Sequence, residues 1–282
     1  ARPVSLQGCS APPASNALAG ADRLDQRSRE RSSCAAGTVG ELAIKALVLL
    51  GSFGILPCMN LPVPRWTLGR MQNPVRGFLH GSAAAAGFVG TIFLLFHAPN
   101  LPVRIAVLVF GLAMMALYTT SSLYHSIPWR ERWKKRMQRM DHSMIYVLIA
   151  GTYTPVAAIV LDPPWSWIVL AMVWGITIGG VIQKGLFPKV PGWISVMMST
   201  VLGWLGIFCF WPMIQRLGWL PVGFVLAGGL LYTVGMVFLV TNRPRLWPRV
   251  FSYHEVFHIM VVSATSLHFL VIWRYVVPLA AV

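Results

Sequence analysis

The charged residues after Arg76 divide the chain into seven stretches without Asp, Glu, Lys or Arg: Gly77 to Val103, Ile105 to Trp129, His142 to Leu161, Pro163 to Gln183, Val190 to Gln215, Leu217 to Asn242 and Val256 to Trp273. An ionised side chain at the centre of a bilayer costs several kcal/mol, so charges stay at the ends of membrane-crossing segments unless they have a task inside. Each stretch has about the ~20 residues needed to cross ~30 Å of hydrocarbon as a helix, the last one once Tyr253 to Glu255 are counted in. Helices are expected because lipid offers no partner for a backbone N–H or C=O. The sequence therefore predicts an all-α integral membrane protein, a seven-transmembrane-helix bundle formed by residues 73–282, with spans at about 78–98, 105–127, 142–161, 164–183, 192–214, 219–240 and 254–274. Composition agrees, with 11% of residues charged against about a quarter in soluble domains.

The net charge of +15 arises between the spans rather than on a soluble surface, which argues against a nucleic-acid partner. Arg130, Arg132, Lys134, Lys135, Arg136 and Arg139 lie between spans two and three, and Lys184, Lys189, Arg243, Arg245 and Arg249 fall on that same side. The other side receives Arg104, Arg216 and Arg274, a count of eleven against three. Positively charged loops stay in the cytoplasm, so the N-terminus is expected there, in a multi-pass protein of the cell membrane with its C-terminus outside. The cluster Arg130 to Arg139 also offers a modest attraction for anionic lipid heads.

Residues 1–72 read as a separate tail, disordered or artefactual. The first forty are rich in Ala, Ser, Arg and Gly without apolar periodicity, a composition that cannot bury enough surface to offset chain entropy. Leu42 to Leu61 is apolar but holds Lys45 and Pro57, and as a span it would send Arg23, Arg27, Arg29 and Arg31 outside. The expectation is a start at Met59 or Met71, with an organellar transit peptide as the competing reading. Cys9, Cys34, Cys58 and Cys209 show no paired spacing, so neither disulfides nor a thiolate metal site is expected.

Several polar residues inside the spans share one depth. His125 ends the second span at its cytoplasmic edge, with Ser121 one turn deeper on the same face. Asp141 opens the third span at that level, His80 the first, and His254 and His258 the seventh, the last two one helical turn apart on one face. Two histidines at i and i+4 with a third from another helix make the three-nitrogen set of a catalytic zinc site, which keeps its fourth position open. His125, His254 and His258 are thus the expected metal ligands, for Zn2+ ahead of copper, iron or nickel, which imidazole also suits, with His80 as a supporting neighbour. Asp141 is the candidate proton acceptor and Ser121 the candidate donor to substrate or water. His97 and His142 fit interfacial or carbonyl-capping roles, and His268 lies about 21 Å along the helix from His254, too far to be a ligand. Gly179-Gly180, Gly228-Gly229 and Ala83 to Ala86 suit close helix approach, the Trp residues flanking the spans suit interface anchoring, and Pro155 and Pro212 suit kinks.

Four segments in this order, Ser121-Ser-Leu-Tyr-His125, Asp141-His-Ser-Met-Ile-Tyr, Gly151-Thr-Tyr-Thr-Pro155 and His254-Glu-Val-Phe-His258, resemble the hemolysin III family, the bacterial branch of the progestin and adipoQ receptors. The resemblance covers about residues 73 to 277 and takes in Ser266-Leu-His268-Phe. The family's first motif reads Glu-x2-Asn-x3-His-Gly, where this chain has Asn73, Arg76 and His80-Gly81. The resemblance implies zinc on His125, His254 and His258, with Asp141 and Ser121 lining the site, and kinship with membrane hydrolases of lipid amides. Three functions follow: a zinc-dependent hydrolase with a membrane lipid amide as substrate, a membrane sensor or receptor in which zinc ties helices together, or a cytolytic protein. The last conflicts with the lack of a polar stripe along any span. Neither the resemblance nor the sequence fixes an oligomeric state.

Overall fold

A computed structural model describes residues 73–187, 192–246 and 251–281. The expectations about residues 1–72, including the alternative start sites and the transit peptide, lie outside the described residues. Among the described residues, seven helices are long and apolar enough to cross a membrane: α1 (Pro74–His97), α2 (Leu101–Ser126), α3 (Glu131–Val160), α4 (Trp165–Leu186), α5 (Gly192–Leu217), α6 (Trp219–Thr241) and α7 (Tyr253–Leu279). Among the described residues there are no strands. The bundle turns an apolar surface outward, with Trp165, Trp167, Trp193, Trp211 and Trp219 among its exposed side chains. Such a surface suits lipid rather than water.

Local chemistry accounts for the helix ends. Pro at the first or second position opens both α1 and α2, where its missing N–H is of no consequence, and Asn100 caps α2 by accepting from Val103 N–H at 3.1 Å. Helix α3 starts at Glu131, eleven residues before the span expected at 142, so the basic cluster forms its first turns rather than a loop. Lys, Arg, Met and Gln are good helix formers, and Glu131 complements the positive helix terminus. Charge ends the membrane-crossing stretch without ending the helix.

Helices α1, α2, α3 and α4 pack in succession, α6 packs on α7, and α7 returns to α1. Half of the apolar window of α2 and of α3 is buried, against 22% in α5 and 17% in α6, so the first two form the interior of the bundle. The core around Phe110, Met114, Leu117 and Leu148 joins α2 and α3, and α7 adds Phe257 and Val261. Gly180 and Gly228 permit close approach to Tyr146 and His268, whereas a side chain at Gly179 or Gly229 would meet nothing within 4 Å.

Helix α5 is built differently. It consists of two helical pieces, Gly192–Trp204 and Ile207–Leu217, with an interruption at Leu205 and Gly206. Pro212, expected to kink this span, lies inside the second piece, after the break. Backbone groups released by such a break need new partners in lipid. The Tyr153 hydroxyl of α3 reaches the Leu202 and Gly203 carbonyls, at 3.0 and 2.9 Å, and Tyr146 donates to the Ser195 carbonyl at 3.0 Å. Polar tethers from α3 therefore supplement α5's sparse packing. At the end of the bundle away from the histidines, Arg216 donates to Asp162 at 2.6 Å, linking the end of α5 to the α3–α4 connection.

Candidate metal centre

His125 lies in the last turn of α2, and His254 and His258 in the first two turns of α7. Helix α1, packed against both α2 and α7, joins the two elements. The imidazoles of His125, His254 and His258 each offer a ligand atom, and these atoms lie within 4.8 Å of one another. The rings form a nearly equilateral triangle, with centroid separations of 5.1 Å for His125 and His254, 5.0 Å for His125 and His258, and 4.9 Å for His254 and His258.

The buried nitrogens pass a test of fit to a metal. His125 Nε2 and His258 Nδ1 are buried without a hydrogen-bond partner, and so are both ring nitrogens of His80. A buried polar atom without a partner is costly, so such atoms in a folded protein require an explanation. Three imidazole nitrogens within 4.8 Å of one another are a donor set that suits a zinc ion, and also copper, iron or nickel. His80 stacks on His258 with centroids 3.9 Å apart and lies 5.0 Å from the Tyr118 ring. It supports the His258 ring through its face and stands outside the three-histidine group.

Asp141 and Ser121 are both buried. They sit with His80, His254 and His258 at one end of a cavity of about 210 Å3. From His254 to Ile272 the cavity follows α7 for eighteen residues, or ~27 Å at the helical rise of ~1.5 Å per residue. Its walls include Ile145 and Leu148 from α3, Phe210 and Met213 from α5, and Val261 from α7, and the break in α5 borders it at Gly206. Away from the histidine end the lining is mostly apolar, with Tyr153, Tyr232, Thr233 and His268 among its polar members.

The other histidines sort themselves by contact. His97 bonds the Phe93 carbonyl at 2.8 Å, a carbonyl-capping role. His142 instead lines the cavity beside Asp141. His268 lines it farther along and bonds the Val225 carbonyl at 3.2 Å.

Sequence reasoning missed Glu255. His254-Glu255-Val256-Phe257-His258 has the spacing of H-E-x-x-H, in which the acid serves as general base beside a two-histidine metal site. Here both carboxylate oxygens are occupied elsewhere. Oε1 accepts from Arg76 Nε at 2.6 Å, and Oε2 accepts from Ser252 N–H at 2.8 Å, in the capping position of α7. Asp141 remains the carboxylate that faces the cavity. The Arg76 contact joins residues 179 apart in the chain, and no local signal announces it.

Comparison with known proteins identifies the family. Residues 69–269 match the Haemolysin-III related family. The chain is 35% identical to Hemolysin-3 of Bacillus cereus over 79% of its own length and 100% of that protein. It is 31% identical to the Hemolysin-3 homolog of Bacillus subtilis, over 70% of this chain and 91% of the relative. The human Monocyte to macrophage differentiation factor is 21% identical over 72% of this chain and 84% of its own length. With seven apolar helices and this match, the chain is a multi-pass membrane protein of the haemolysin III family, within the progestin and adipoQ receptor superfamily.

Proposed function

We propose that this protein is a zinc-dependent hydrolase that cleaves a lipid amide from within the membrane, with His125, His254 and His258 as the metal ligands. The observation that carries this reading is that His254 and His258, with Asp141 and Ser121, line one end of a long, mostly apolar cavity, and that the His125 imidazole lies within 4.8 Å of those two histidines. Zinc on three nitrogens supplies Lewis acidity and makes water a nucleophile near neutral pH. The apolar walls contributed by α3, α5 and α7 hold the acyl chain, so that its carbonyl lies at the histidine end. Asp141 accepts a proton from the attacking water and returns it to the leaving nitrogen, and the amide and water become a carboxylic acid and an amine. The Ser121 hydroxyl, which lines the cavity with Asp141, donates to oxygen in the site.

In this reading the N-terminus and the histidine end face the cytoplasm and the protein resides in the plasma membrane, as the excess of Lys and Arg at that end supports. The test is turnover of a ceramide-like N-acyl lipid by the purified full chain in lipid nanodiscs, before and after chelation and after zinc is returned. Release of fatty acid that stops on chelation and resumes with zinc supports the hydrolase. Stoichiometric zinc with no release of fatty acid would leave zinc as a tie between α2 and α7, and the amidase reading would be abandoned.

A further inference from the structure

The first turn of α1 touches both helices that carry the candidate ligands. Asn73 N–H donates to the carbonyl of His125 itself at 3.0 Å, which fastens α1 to the end of α2. One residue after Arg76, the Gly77 carbonyl accepts from Ser122 Oγ at 2.9 Å, and Gly81 leaves that serine room. Between these contacts Arg76 reaches the other way, to α7, and donates from Nε to Glu255 at 2.6 Å. Glu255 follows His254 directly, and its second oxygen holds the Ser252 N–H at the start of the helix. The residues from 73 to 77 thus bridge the His125 end of α2 and the turn of α7 that begins with His254.

The burial of this pair gives the bridge its force. The Glu255 side chain is 6% exposed and that of Arg76 is 21% exposed. A buried carboxylate deprived of its cation is poorly tolerated, whereas a buried pair with its remaining valences satisfied is stable in place. Without Arg76, the Glu255 carboxylate would turn toward water and carry the first turn of α7 with it. His254 would then leave the triangle.

We infer that Arg76 is a positioning residue, which through Glu255 holds the first turn of α7 in register with α2 and so sets how tightly His125, His254 and His258 hold a metal. This rests on the metal reading of the site, and concerns a pair of residues outside the ligand set.

The test is a titration of the purified full chain with Co2+, followed by its visible absorption, in wild type, Arg76→Met, Arg76→Lys, Glu255→Gln and the Arg76→Met/Glu255→Gln double variant. Glutamine at 255 can still accept from the Ser252 N–H, so Glu255→Gln removes the charge while keeping the cap. The wild type is expected to take up one Co2+ per chain. Arg76→Met should bind it roughly 10–100-fold more weakly, as loss of a partner outside the ligand set usually does, with an altered absorption band. Arg76→Lys should recover part of the affinity, and the double variant should be no weaker than Arg76→Met, because the two side chains act as one unit.

Helical circular dichroism and monodisperse elution identify the variants that have folded, and Arg76→Lys carries the comparison if Arg76→Met has not. Folded Arg76→Met with affinity within about twofold of wild type would overturn the proposal, and so would losses that simply add in the double variant. A wild type that takes up no Co2+ would remove the metal reading itself. The clamp is then judged by amide hydrogen exchange across residues 253–258, where faster exchange in Arg76→Met supports it and unchanged exchange ends it.

Discussion

Asp141 and Glu255 are both buried carboxylates beside the histidines, and what each one contacts gives them different work. Glu255 is spent on Arg76 and on the cap of α7, while Asp141 faces the cavity with Ser121 beside it. Asp141→Asn keeps the shape and removes the proton acceptor. It is expected to lower turnover by about 10²- to 10⁴-fold and leave metal content unchanged, as measured on the same preparation. Equal turnover would show that another group moves the proton. His268→Ala provides a contrast, since that ring bonds a backbone carbonyl and stands clear of the ligand triangle; metal content should match wild type. The ligand candidates were legible in the sequence because helical spacing and depth are local properties that can be counted from the nearest charge. The Arg76–Glu255 pair was not legible, because it depends on α7 returning to α1, a fact of packing between distant segments. The same dependence hid the stacking of His80 on His258, and it hid the place of His142 in the cavity wall.

Among the helices, α5 shapes the cavity through its defect. Its two pieces part at Leu205 and Gly206, and the Tyr153 hydroxyl bonds the carbonyls at 202 and 203. Tyr153→Phe removes that donor and leaves the ring in place. The expected cost is about 1 kcal/mol, read as a lower thermal unfolding midpoint in detergent. A midpoint equal to that of wild type would mean that the break needs no outside donor. The existence of this span was readable from its apolar length, but the break was not: the proline that draws attention, Pro212, lies beyond it. Helix α3 shows the complementary limit, since charges mark where the bilayer ends and say nothing about where a helix of good helix formers begins.

Taken whole, the molecule is asymmetric from end to end. The turns that carry Arg132 to Arg139 lead directly into Asp141, so the cationic end and the histidine end coincide. If the cationic end faces the cytoplasm, a single cysteine placed at Arg136 in a background with Cys9, Cys34, Cys58 and Cys209 all replaced should resist an impermeant thiol reagent in intact cells and react once the cells are opened. Labelling in intact cells would invert the assigned orientation. The count of spans and the side on which charge collects were both legible, because transfer from water to lipid acts on every residue and is summed along the chain. The cavity was not, because it forms where five or more helices fail to fill the space between them, a property of the bundle as a whole. The most direct measurement is the metal content of purified wild type beside His254→Ala/His258→Ala. About one zinc per chain in the wild type, and none in a folded double variant, is the predicted result. A wild type without metal, or a double variant that keeps its full complement, would contradict the assignment of these three histidines as ligands.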